Sequence, residues 1–391
     1  MDIVYIGAFR FPDKDAAAAR VLNNARIFRA LGNDVRFISW GGRYLPSDIT
    51  DDGQYTHDAF PYTITGDLDV QGSFYVKLRH YITRAKNSIK HVEALDRKPD
   101  VIIAYNADYL LTVRLLRYCR KKNIKFVNDI TEWYDYREIP VIERPFYWYN
   151  MLCLQHKIRN KIVISHYLDN YYSISNNLKI PPLCDGNEKK WQTEIADNRV
   201  PHYDGITLIY AGNPAKKDSI DCIINAVDRL AKEGGRIRIM ILGIGIDEYL
   251  LRNSNRRNII KLHDNIIFLG RISQDAVPSY YRKADFMVLL RESTRKNNAG
   301  FPTKVAESIT AGVPVITNQT SDLSEYIKDG HNGFIVPCCS EDVLYDTLKR
   351  RILTLDIVSV NDMSKNVRQV SASFDWHTYI GSASLFLKQL R

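Results

Sequence analysis

The segment KNNAGFPTKVAES, residues 296–308, gathers residue types suited to holding an anion beside a diol. Gly300 lets a backbone come close to a ligand, and Pro302 suits the first position of a helix beginning near Thr303. The unpaired N–H groups of such a helix start attract phosphate oxygens, each exposed dipole interaction contributing about 0.3–1 kcal/mol. Lys304 adds a full positive charge. Glu307, one turn further in, offers a carboxylate that only accepts hydrogen bonds and therefore matches the two donors of a ribose diol. Phosphates beside a ribose describe a nucleotide. The same residues also admit a structural reading, in which Glu307 caps or salt-bridges its own helix and Gly300 makes a turn.

Such a corner needs a framework, and the pattern of the chain supplies one. The runs DIVYIGAF, DVRFISW, PDVIIAYN, IKFVNDI and KIVISH read as short strands, with a helix over Ala16–Leu31 and further helical stretches between them. After a polar region at 185–204 the alternation restarts with ITLIYAG, RIRIMILGIG, NIIFLGRI, DFMVLL, PVITN and GFIVP. Strands alternating with helices imply parallel sheets, so the expected class is α/β with two Rossmann-like doubly wound domains facing across a cleft, where such sheets bind ligands at their strand ends. The expected domains are 1–190 and 205–372, followed by a helix over 373–391. The GxG in ILGIGID lacks the rest of a dinucleotide fingerprint and is assigned to a turn.

Composition limits the alternatives. The 391 residues are 45% hydrophobic and 25% charged, as in a globular protein. No apolar run approaches the roughly 18 residues that cross a bilayer, and MDIVYIGAF reads as a first strand and not as a signal segment, so a cytoplasmic location is expected. The six cysteines and nine histidines show no zinc-ligand spacing. From Phe74 to Lys98, Leu78, Tyr81, Ile82, Ala85, Ile89, Val92 and Leu95 recur at helical spacing, with Lys77, Arg79, Arg84, Lys86 and Lys90 on other faces. That basic amphipathic helix suits an anionic membrane surface at the inner face of the cell membrane; a solvated face is the alternative. The net charge of +9 comes with no recognisable nucleic-acid-binding module, and no nucleic-acid partner is expected.

The stretches GFPTKVAESITAGVPVI and SDLSEYIKDGHNGFIVP resemble the donor-binding core of the family-4 retaining glycosyltransferases of the GT-B fold, also grouped as glycosyl transferases group 1. The resemblance covers nearly the whole chain. It implies a nucleotide-sugar donor, a UDP-sugar or else a GDP-sugar, and transfer of a hexosyl group with retention to a glycan or lipid-linked acceptor, in bacterial surface polysaccharide or glycolipid synthesis. It implies no metal and no further cofactor. Glu307 matches the family's ribose-binding glutamate. The family's other glutamate falls on Ala299 in the AGFPTK variant of the motif, so Asn297, Asn298 and the backbone of Ala299, Gly300 and Phe301 stand in for it. YAGNPAKKD resembles the diphosphate clamp, with Asn213 at the arginine position and Lys217, beside Lys216, at the lysine position. Arg271, after IIFLG, reaches the phosphates or pairs with an acid. Asp129 and Glu132 occupy places where the family sets polar residues around sugar and acceptor; the alternative for Asp129 is to cap the next turn. The expected donor-binding set is therefore Lys216, Lys217, Arg271, Asn298, Ala299, Gly300, Phe301, Pro302, Thr303, Lys304 and Glu307, with Asp129, Glu132 and Lys217 as catalytic candidates. The C-terminal segment resembles the family's last helix, which returns to the first domain. Because Ala299 and Asn213 replace charged family residues, a non-catalytic carbohydrate-binding or partner-stabilising GT-B subunit is the alternative function.

Overall fold

The computed structural model describes residues 1–12, 15–51, 53–66, 68, 71–141, 143–194, 197, 199–214, 217–252 and 263–390. The chain divides into two compact units, Met1–Leu183 with Ala299–Phe301 and Trp376–Arg391, and Cys184–Asn298 with Pro302–Asp375.

In the first unit, β1 (Asp2–Phe11), β2 (Asp34–Gly42), β3 (Thr56–His57), β4 (Phe60–Ile64), β5 (Val101–Tyr105), β6 (Lys125–Ile130), β7 (Asn160–Val163) and β8 (Asn176–Lys179) form a sheet in the order β3-β4-β2-β1-β5-β6-β7-β8. Among the described residues every strand pairing in this sheet is parallel except β3 with β4. β1 lies between β2 and β5, so successive side chains enter cores on opposite faces. Ile3 and Tyr5 join Val21, Phe28 and Phe37 on one side, and Val4 and Ile6 join Ile102, Leu111 and Leu115 on the other. Burying each such aliphatic or aromatic side chain contributes about 1.5–3 kcal/mol. The helix Ala16–Ala30 covers the first face, its start fixed by the Asp15 carboxylate, which accepts from the Ala18 N–H at 2.8 Å. The C-terminal helix Ile380–Lys388 packs on the same face through Ala383 and Phe386. The basic helix runs from Phe74 to Glu93, ending short of Lys98, and turns Ala85 and Val92 into the second core.

In the second unit, β9 (Ile206–Tyr210), β10 (Ile237–Leu242), β11 (Ile266–Gly270), β12 (Phe286–Leu289), β13 (Val315–Asn318) and β14 (Gly333–Val336) form a parallel sheet in the order β11-β10-β9-β12-β13-β14. β9, β10 and β12 are almost wholly buried, as their unbroken apolar runs require. The segment after β12 contains a short helix, Arg295–Ala299, before the helix Thr303–Thr310. The GxG stretch is a turn at the end of β10. Gly243 has φ 95°, and a Cβ there would stand 2.4 Å from the Gly212 carbonyl carbon, so the β9 and β10 ends meet through glycine backbones.

Candidate functional site

Three segments of the second unit converge on Lys304. β9 ends at Tyr210 and turns through Gly212, φ 115°, toward Asp218. β12 leads to Arg291, whose backbone bridges to that of Asp218. The helix Thr303–Thr310 presents Lys304 at its second position. The Lys304 ammonium donates to the Tyr210 hydroxyl at 2.7 Å and also to Asp218 Oδ2. Tyr210 itself donates to Asp218 Oδ2 at 2.5 Å, and Arg291 Nε donates to Asp218 Oδ1 at 2.7 Å. The Asp218 side chain is 1% exposed and that of Lys304 15%, so two cations share one buried carboxylate and leave a net positive charge at a partly open lysine. Burial works to raise the Asp218 carboxyl, but Lys304 and Arg291 hold it well below its ordinary value. For Lys304, burial brings the ammonium down to about 8 against the opposing pull of Asp218.

Glu307 lies one turn further along this helix and is half-buried. Its carboxylate accepts from the Tyr281 hydroxyl at 3.3 Å, a hydroxyl that also lies 3.2 Å from the Lys304 carbonyl oxygen. Among the described residues no cation stands within ion-pair distance of Glu307, so the reading in which it salt-bridges its own helix does not hold. Burial raises its carboxyl above the ordinary value, against the lowering effects of Tyr281, Lys190 and Lys304. Pro302 is not the first helical residue, as its sequence context predicts, but the N-cap, with φ −76° and ψ 108°. A proline has no side-chain acceptor, so no side chain caps the start of this helix. Thr303 is half-buried behind it.

The remaining predicted donor-site residues separate. Lys217 is half-buried and close enough to depress the Lys304 ammonium by like charge. Lys216 lies outside the described residues. Arg271 is exposed and pairs with Glu248 at 3.4 Å, which is its acid-pairing alternative. Asn298 uses its amide within the loop, donating to Ser293 Oγ at 3.2 Å and accepting from the Ser321 N–H at 3.1 Å. Ala299 is fully buried and Phe301 nearly so, whereas Gly300 is half-buried. A glutamate at 299 would therefore carry its charge into a site without water, which alanine avoids. Asn213, at the family's arginine position, accepts from Arg252 Nη1 at 3.0 Å, and the same nitrogen donates to the Pro214 carbonyl.

In the first unit, the catalytic reading of Asp129 requires correction. The residue is fully buried at the end of β6, and Arg20 Nη2 reaches its Oδ1 at 2.8 Å while Arg20 Nε lies 3.1 and 3.2 Å from its two oxygens. Tyr5 donates to Oδ2, and Asn24 Nδ2 does so at 3.3 Å. Neither oxygen is left to take a proton from a substrate. We assign Asp129 to joining β1, β6 and the helix Ala16–Ala30. Glu132 is half-buried among the hydroxyls of Tyr105, Tyr134 and Tyr147, all raised first by burial and then by its carboxylate, with Tyr134 hydrogen-bonded to it.

Sequence reading missed Asp218, Arg291, Tyr210 and Tyr281, which hold the two central side chains. Asp218 directly follows the Lys216–Lys217 pair, and Arg291 opens the loop that leads to the quoted motif, so their positions carried a local signal. Their convergence on Lys304 is a tertiary fact.

Residues 192–370 match the family described as Glycosyl transferases group 1. The GtfA subunit of a UDP-N-acetylglucosamine–peptide N-acetylglucosaminyltransferase from Streptococcus pneumoniae is 31% identical over 160 residues, 39% of this chain and 27% of that protein. The chain spans less than half the length of the curated relatives it matches. Sucrose-phosphate synthase from Thermosynechococcus elongatus superposes with TM-score 0.74 at 17% identity, covering 100% of this chain and 98% of that one. Anabaena Alr3699/HepE, in complex with UDP-glucose, does so with TM-score 0.72 at 14% identity over the whole of both chains. These likenesses show the fold, two parallel-sheet units of the GT-B type.

Proposed function

We propose, from the match of residues 192–370 to the group 1 glycosyl transferases, that this chain is a nucleotide-sugar-dependent glycosyltransferase whose second unit binds the donor. The observation that carries the reading is the pairing of a partly open Lys304 ammonium with the uncapped start of its helix, one turn from a Glu307 carboxylate that has no cation partner among the described residues. A cation and free helix N–H groups suit a diphosphate, and an ionised carboxylate suits a ribose diol. Lys304 and Lys217 would stabilise the charge that develops on the departing diphosphate, where preorganised cations act most strongly. The donor we favour is a UDP-sugar, in line with the UDP-glucose held by HepE, with a GDP-sugar as the alternative. Transfer of a hexosyl group with retention to a glycan or lipid-linked acceptor, in surface polysaccharide or glycolipid synthesis, completes the proposal. Glu132, amid its tyrosine hydroxyls, is the first-unit carboxylate suited to orienting an acceptor hydroxyl. No step requires a metal.

Calorimetry with UDP and GDP, followed by transfer and hydrolysis assays over a panel of nucleotide sugars, tests this. We expect micromolar to millimolar UDP affinity and release of UDP from one donor, with the anomeric configuration of the product read by NMR. Failure to bind either diphosphate would remove the donor-site reading. Binding without turnover of any donor would favour the non-catalytic subunit, the reading for which the apolar, buried Ala299 speaks.

We further propose that the first unit docks on an anionic membrane. The helix Phe74–Glu93 carries five lysines and arginines and one acid, and the helix Tyr109–Lys122 five and none, a net of nine positive charges that equals the chain's own. Phe74, Tyr75, Val76 and Ile82 on the first helix are exposed, as are Phe146 and Tyr149, both packed on Tyr109 of the second. An apolar groove of about 350 Å³ on the second helix is rimmed by Arg117, Arg120 and Lys121. Each cation near an anionic surface contributes about 1 kcal/mol. Among the described residues no helix is long and apolar enough to cross a membrane, so adsorption and not insertion is at issue. Flotation with phosphatidylglycerol-containing liposomes at low salt should recover the wild-type protein, and Lys77→Glu, Arg79→Glu and Lys86→Glu together should abolish recovery while UDP affinity stays unchanged. A wild-type protein that ignores such liposomes leaves the surface merely solvated.

A further inference from the structure

Lys304 is reached by groups from every segment around it: Tyr210 at the end of β9, Lys217 and Asp218 on the loop that follows, Arg291 after β12, and Glu307 on its own helix, with the Tyr281 hydroxyl at its carbonyl. Its stem runs over Gly212, where an added Cβ would stand 2.8 Å from Lys304 Cε. The ammonium has three hydrogens, and Tyr210 and Asp218 take two. We infer that Asp218, buttressed by Arg291, is a positioning residue for the donor phosphates, fixing the Lys304 ammonium over Gly212 with its third hydrogen left for a phosphate oxygen. The inference rests on the donor-site reading above.

The physical argument is one of competing charges. Three cationic side chains, Lys304, Arg291 and Lys217, crowd a largely dry site, and burial together with mutual repulsion favours a neutral lysine. Asp218 offsets part of that preference and spends both oxygens doing so, because Arg291 occupies one and Lys304 with Tyr210 the other. Arg291 anchors Asp218 through its Nε, which donates to Oδ1 at 2.7 Å. Removing the carboxylate would leave two cations facing each other, and the lysine would shed its proton. Asp218 thus acts on the ligand through Lys304 and touches no substrate itself.

The test is the pH profile of UDP binding to the full chain by calorimetry from pH 7 to 9.5, a window above the phosphate's own titration near pH 6. Wild-type affinity should fall as pH rises through about 8, the value at which Lys304 loses its proton, by up to about tenfold per pH unit beyond it. Asp218→Asn should bind UDP about tenfold more weakly at pH 8, with the midpoint of the fall displaced to lower pH. Asp218→Glu, which keeps the charge, should weaken binding without displacing the midpoint. Lys304→Met should remove the fall altogether. A constant loss at every pH in Asp218→Asn would mean a purely structural residue and overturn the inference. Should that variant not fold, a wild-type fall that survives in Lys304→Met overturns it equally. A wild-type chain that binds neither UDP nor GDP at any pH would overturn the donor-site reading and this inference with it, whereas normal UDP binding with a flat profile would overturn this inference alone.

Discussion

Arg20→Ala will destabilise the first unit by about 3–5 kcal/mol, the cost of leaving a buried charge without its partner. Arg20 is 5% exposed and meets a fully buried Asp129 through Nε and Nη2, while its Nη1 donates to the Ile180 carbonyl at 2.9 Å. Truncation strands the carboxylate with Tyr5 and Asn24 as its remaining donors and orphans a backbone acceptor as well. Chemical denaturation read by circular dichroism measures the loss. The control is Arg20→Met combined with Asp129→Leu, which removes both charges and should recover most of the stability, since buried ion pairs replaced by packed apolar side chains are often neutral. A loss below about 1 kcal/mol in Arg20→Ala would mean that water or another cation reaches Asp129, and would reopen the catalytic reading of that residue.

Glu307→Ala should weaken UDP binding by about 1.5–3 kcal/mol, the range for hydrogen bonds to a charged group. Its effect on the unliganded protein should have the opposite sign. Burial raises the Glu307 carboxyl in the folded chain, so the folded state holds the proton more tightly than the unfolded state. Its contribution to stability is then greatest below the ordinary carboxyl pKa and is lost as pH rises through the folded value. At pH 7 the ionised group is a burden, and alanine should leave thermal stability unchanged or higher. Tyr281→Phe, which removes one hydroxyl, should disturb binding less. Equal UDP affinity in folded Glu307→Ala would remove the ribose assignment, and a large fall in stability at pH 7 would make Glu307 a structural residue.

Most strands of both sheets were legible because parallel strands buried on two faces read as unbroken apolar runs between turn residues, as in ITLIYAG and RIRIMILGIG. β8 escaped because its four residues, NNLK, are mostly polar, and β3 and β4 because a two-residue strand and a proline-containing partner leave little pattern. The helix Arg295–Ala299 leaves no signal of its own, because paired asparagines favour turns. At the site, Lys304 and Glu307 were legible from their place on a helix behind a glycine and a proline. Their partners were not, since Asp218 stands 86 residues before Lys304 and no periodicity links them. Asp129 misled for the same reason: a carboxylate at a strand end looks available until Arg20, 109 residues earlier, is found on it.

The short distance between the place of a Gly212 Cβ and Lys304 Cε has a consequence for descent. A side chain at 212 would have to adopt a φ of 115° and would also press on the lysine stem, whose far end can shift, so the backbone is the firmer of the two constraints. Shortening 304 would relieve the contact but not the φ of 115°, so 212 stays closed to other residues whatever stands at 304. Glycine at 212 is therefore the fixed member of the pair, and among descendants of this sequence 304 should vary while 212 remains glycine.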